Sequence, residues 1–212
     1  MGVTIHYRGR LNNISLLPEL EEELIDLAKS MGWNYVKFDD DWNEELHYTQ
    51  EIKDRSLNMD GNLGLKGIAI IPPGSEPINF TVDPSGQLSS FFRQMSIIDK
   101  ETVEAMDWVF CKTQFAEISV HIWIVELLKY LKKKYFHDLE VHDEGEYWET
   151  RKLKILQEKR EIINTAMDKF SGAFESGELG DLKDASAEEI ANSIEAFFKK
   201  YNDKRKKDEE RK

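Results

Sequence analysis

Residues 109–149 read VFCKTQFAEISVHIWIVELLKYLKKKYFHDLEVHDEGEYWE. Val109, Cys111, Thr113 and Phe115 alternate with Phe110, Lys112 and Gln114. That period of two marks a strand with one buried face. Val120, Ile124, Leu127, Leu128, Leu131 and Tyr135 then recur at helical spacing, and Ile122, Trp123 and Val125 widen the stripe. The first turns are thus apolar nearly all round, as in a buried helix. Ser119 offers an N-cap, and Ile118 a hydrophobic staple onto Trp123. Lys129, Lys132, Lys133 and Lys134 suit the negative end of the helix dipole. Leu139 and Val141 open a second strand, which runs into HDEGEYWE. The stretch predicts strand, central helix, strand.

A weaker copy of this plan stands at the N-terminus. Val3, Ile5, Tyr7 and Leu11 alternate with polar residues, and Leu17, Leu20, Leu24, Leu27 and Met31 recur at helical spacing up to Gly32. A short strand, 35–38, precedes Asp39, Asp40, Asp41 and Trp42. At an offset of 104, Ile5, Tyr7 and Leu11 fall on Val109, Cys111 and Phe115, and Leu24 and Leu27 fall on Leu128 and Leu131. After a one-residue gap Asp40-Asp41 meets Asp143-Glu144. Patterning alone gives two amphipathic units much of this agreement. An internal strand–helix–strand duplication is the alternative, and it would set two related halves side by side in one sheet.

Residues 43–64 are polar and aperiodic, and are expected to form a long loop, with a short helical turn as the alternative within it. Residues 65–91 read as a three-stranded antiparallel meander with a type I turn at Asp83-Pro84-Ser85-Gly86. Asp99 could cap a helix over 100–108. A helix is expected over 150–176, then a two-glycine linker. Ser186 and Glu189 form a capping box before the stripe Ile190, Ile194, Phe197, Phe198 and Tyr201, and a charged tail follows. The expected division is a core domain 1–175, a linker 176–185 and an amphipathic helix with tail 186–212. Hairpins mixed with crossovers give the α+β class. A mixed, largely antiparallel sheet would carry helices mainly on one face, in two layers, with further helices at the C-terminus.

The 212 residues hold 29 Lys and Arg against 41 Asp and Glu, a net charge of −12. Such a surface disfavours nucleic acid and anionic lipid, and suits a protein partner met through the acidic surface or the C-terminal helix. The opening MGVTIHYRGR has no apolar run after its charge, and His6 stands where a myristoylation signal would have Ser or Thr, so neither signal is expected. Cys111 is the single cysteine, which excludes an internal disulfide and fits a cytoplasmic protein.

Two constellations could carry function. The acidic loops offer Asp40, Asp41, His142, Asp143, Glu144 and Glu146, types that hold a hard divalent cation or act as general acid and base. Trp42 and Trp148 beside them could line a pocket. No metal motif matches, and no resident cofactor is predicted beyond such a cation. By strand alternation His6, Arg8, Arg10, Lys112 and Gln114 share an open sheet face, where arginine forks could hold a carboxylate or phosphate. His121 and Cys111 read as core residues. These observations favour a non-enzymatic binding protein. The alternative is a metal-dependent or small-molecule enzyme built on the acidic loops.

Overall fold

The structure is a computed structural model that describes residues 3–53, 56–100, 107–176, 186, 188–190, 192–197 and 199. It divides into two compact units, Gly2–Leu156 and Gln157–Lys212.

The first unit is α+β with antiparallel sheets. β1 (Thr4–Arg8) lies between β7 (Val109–Lys112) and β8 (Glu140–Asp143), antiparallel to both. A second sheet has the order β2 (Asn34–Asp39), β5 (Lys66–Ile71), β6 (Ile78–Val82). The two sheets meet where the Glu76 amide donates to Lys112 O at 3.0 Å and the Tyr7 hydroxyl donates to Asn79 O at 2.8 Å.

Alternation does what the sequence predicts in β1. Val3, Ile5 and Tyr7 are fully buried, while Thr4, His6 and Arg8 face the other side. α1 (Leu17–Met31) buries Leu17, Leu20, Leu24 and Ala28, and ends where Gly32 takes a left-handed conformation (φ 67°). That conformation costs other L-residues but not glycine. α3 (Ile118–Lys134) buries seven residues around its first turns and middle, the pattern of a central helix. It starts at Ile118 without a side-chain cap, so Ser119 does not play that part.

The lysines of α3 have specific acceptors besides the helix dipole. Lys129 Nζ donates to Trp148 O at 2.8 Å, and Lys134 reaches Glu19 at 3.0 Å and Glu23 at 2.9 Å on α1. The Tyr135 hydroxyl donates to Glu23 at 2.6 Å. α1 and α3 are therefore stitched to each other as well as to the core.

Several expectations are corrected. Residues 43–64 are not a long loop: β3 (His47–Lys53) and β4 (Ser56–Asn62) form a separate hairpin. Among the described residues its side chains are mostly exposed, and they impose no alternating pattern. The third meander strand shrinks to bridges at Gln87 and Leu88, because Ser90 caps a helix, α2 (Phe91–Ile98). Asp99 ends that helix rather than starting one. Of the helix expected over 100–108, residues 101–106 lie outside the described residues, and Asp107 and Trp108 are not helical.

The two strand–helix–strand units do not share one sheet. β7 and β8 both flank β1, whereas α1 carries the chain from β1 to a different sheet. β2 pairs instead with β5, which in turn pairs with β6.

β8 is followed by a short helix, α4 (Tyr147–Thr150), and α5 (Leu153–Glu175) begins in the first unit and continues into the second. In the second unit the capping box forms: the Ser186 amide donates to Glu189 Oε2 at 2.8 Å, and the Glu189 amide donates to Ser186 Oγ at 3.3 Å. Phe197 meets Phe170 edge-on at 5.4 Å, so that part of the aromatic stripe packs within its own unit. The linker expected at 176–185 and the tail after 199 fall almost wholly outside the described residues.

Candidate functional site

The face of the β7–β1–β8 sheet turned away from the core carries three rows of side chains in cross-strand register. The antiparallel pairing sets His6 opposite both Phe110 and His142. Their rings lie 6.3 Å and 6.0 Å from that of His6. On one side of this row the Arg8 guanidinium lies over Trp108, 4.6 Å from the ring centroid, and donates to Glu140 at 2.8 Å. On the other side Thr4 pairs with Lys112, and its amide donates to Glu144 at 2.9 Å. α2 extends the middle row: Phe92 stacks nearly parallel to Phe110 at 6.5 Å. Phe92 is 49% exposed and Phe110 40%. In isolation neither exposure means much, but register-paired aromatics form a surface.

A cleft of about 390 Å³ opens at the Arg8 end of this face, lined by Arg8, Arg10, Arg93, Asp83, Asp107, Asp138 and Glu140 among others. Arg8 is held by Glu140, and Arg93 by Asp107 at 3.3 Å with Asp83 at 3.7 Å. The Arg10 guanidinium has no carboxylate partner among the described residues. Its backbone amide, however, donates to Asp138 Oδ1 at 2.9 Å.

The structure thus brings together His6, Arg8 and Lys112 on one face, with Arg10 at its end. It removes Gln114 from the set. Strand β7 stops at Lys112, alternation lapses, and Gln114 is buried with its Oε1 accepting from the Val3 amide at 2.8 Å. Phe115, expected on the buried face, is 73% exposed for the same reason.

The acidic loops do not converge. Asp40 and Asp41 follow β2, the outer strand of one sheet, while His142 to Glu146 lie at the end of β8, the outer strand of the other. Among the described residues no group of three or more His, Cys, Asp or Glu is placed to hold a metal ion. Several of these side chains are engaged in the fold. Asp40 Oδ2 accepts the amides of Leu63 and Leu65, each at 3.0 Å. Asp41 accepts the Asn43 amide at 2.8 Å, a hydrogen bond that holds its carboxyl below the usual range. Glu146 adopts a left-handed backbone (φ 57°) before α4. Trp42 donates to Gly64 O at 3.0 Å beneath Lys66, and Trp148 packs beside the core beneath Lys129.

Asp143 has a role the sequence reading missed. It is 2% exposed, and its Oδ2 faces His121 Nε2 at 3.2 Å while His121 Nδ1 faces Thr113 Oγ1 at 2.7 Å. Asp143 also accepts the amides of Gly145 (2.7 Å), Tyr147 (2.8 Å) and Trp148 (3.0 Å). Burial pushes its carboxyl up, but the His121 hydrogen bond and charge and the backbone amides outweigh burial, leaving it below the usual range. Gly145 lies flat over this cluster. A Cβ there would fall 2.6 Å from Leu156 Cδ1 and 3.1 Å from His121 Cε1.

The Thr113–His121–Asp143 line has the residue types of a nucleophile–base–orienter chain, yet His121 and Thr113 have no solvent exposure. A base must reach its substrate, so this chain serves as a buried polar tie among β7, α3 and β8. Cys111 is equally enclosed: burial pushes its thiol up to about 12.

Comparison with known protein families, curated proteins and solved structures finds no match to the chain. No helix among the described residues is long and apolar enough to cross a membrane.

Proposed function

We propose that this chain is a binding protein whose contact surface is the face of the β7–β1–β8 sheet turned away from the core, and that its partner is another protein. The register-paired row Phe110–His6–His142, with Phe92 stacked on Phe110, carries the reading. Aromatic residues and arginine are the types that dominate protein–protein contacts, and here they share one exposed surface.

Charge separates the partner classes. On this face and its end cleft Arg8, Arg10, Arg93 and Lys112 stand against Asp83, Asp107, Asp138, Glu140 and Glu144, leaving no positive excess. A nucleic-acid surface needs such an excess to neutralise phosphates. The acidic loops, standing on separate outer strands, offer no comparable support for a metal-dependent enzyme.

The test is affinity capture with wild type and with Phe92→Asp/Phe110→Asp, both checked for native circular dichroism. The reading predicts a protein recovered by wild type and lost by the variant. A partner retained by the variant, or recovered only as nucleic acid, would overturn it.

A further inference from the structure

The cleft at the end of this face has features of a small-molecule site, a role beyond that of the docking surface. Its volume, about 390 Å³, falls in the range of small-ligand pockets. Two of its three guanidiniums are held by carboxylates, Arg8 by Glu140 and Arg93 by Asp107 and Asp83. Arg10 has no carboxylate partner among the described residues, and a guanidinium prefers a planar, bidentate anion. One oxygen of Asp138 accepts the Arg10 amide, and one oxygen of Glu140 accepts from Arg8. Each of these carboxylates keeps its second oxygen without a hydrogen bond among the described residues.

Charge then narrows the ligand class. Three arginines face four carboxylates, Asp83, Asp107, Asp138 and Glu140, so the lining sums to −1. A monoanion would raise this to −2 and a phosphate dianion to −3, both opposed by the carboxylates around it. A ligand carrying its own cation leaves the sum unchanged and finds an acceptor for that cation. We propose that the cleft binds a small zwitterion with the chemistry of a free α-amino acid, its carboxylate on Arg10 and its ammonium on Asp138 and Glu140.

The test is thermal shift and calorimetric titration of the full chain with the standard L-amino acids. The probes are compared with the matching amines, N-acetyl derivatives and inorganic phosphate. At least one amino acid should stabilise the protein at concentrations of about 10 mM, since a ligand that binds only the native state raises its stability. Its affinity should fall about tenfold or more in Arg10→Met and in Asp138→Asn, the scale of a lost charged hydrogen bond. Arg10 is exposed, so Arg10→Met carries the test even if Asp138→Asn loosens the fold. The proposal is overturned if no amino acid binds, if Arg10→Met binds as wild type does, or if the amine, the N-acetyl compound or phosphate binds as tightly as the zwitterion.

Discussion

His121 Nε2 stands 3.2 Å from Asp143 Oδ2, with neither side chain exposed to solvent. Thr113 holds the other imidazole nitrogen and three backbone amides hold the carboxylate, so the cluster ties α3 to the ends of β7 and β8. Removing His121 takes one hydrogen-bond partner from a buried carboxylate that keeps its three amide donors. We predict that His121→Leu loses about 1–3 kcal/mol of unfolding free energy, the scale of a buried polar group deprived of one partner, measured by chemical denaturation.

The same cluster sets an acid dependence. The folded-state carboxyl of Asp143 titrates below its unfolded value, near 4. Between those two values the unfolded chain binds more protons, so the contribution is full above about pH 4 and is lost as pH falls through the lowered value. Stability should drop on acidification below about pH 4, and Asp143→Asn should show a shallower drop over that window. An unchanged slope in the variant would count against this assignment.

A Cβ at Gly145 would press on Leu156 Cδ1 and on the Asp143 and His121 side chains, so one of them must shift. Gly145→Ala should cost about 1–3 kcal/mol, the scale of overpacking a closed site. Denaturation midpoints at matched m-values measure it.

Cys111 has no exposure, and burial raises its thiol to about 12, with a further upward push from Glu76 against a hydrogen bond from Ser75. A thiolate is the reactive form. Native protein at pH 8 should resist alkylation for hours and react within minutes once denatured, as followed by mass spectrometry.

The parts legible in the sequence are those with one wet and one dry face. Ile5 and Tyr7, the α1 stripe from Leu17 to Ala28, and the two-sided burial of α3 all follow from spacing, because burial enforces a period there. The hairpin β3–β4 hid because its described side chains are mostly exposed and enforce no period. α2 hid because Phe91 and Phe92 extend an apparent strand, and only the Ser90 cap marks the turn into helix. The basic face was legible through alternation in β1 but failed at Gln114, two residues past the end of β7. The Thr113–His121–Asp143 tie was invisible for a different reason. Its members are 8 and 22 residues apart, and they meet only after β8 docks beside β1.

The claim that the open sheet face is the docking surface is tested most directly by site-specific photo-crosslinking in cells. A photoreactive residue at position 110, in the centre of the aromatic row, is compared with the same residue at position 31, at the exposed end of α1. The account predicts a discrete protein adduct from position 110 that position 31 does not give, and that Phe92→Asp abolishes. Equal yields from both positions, or an adduct from position 110 that nuclease removes, would contradict it.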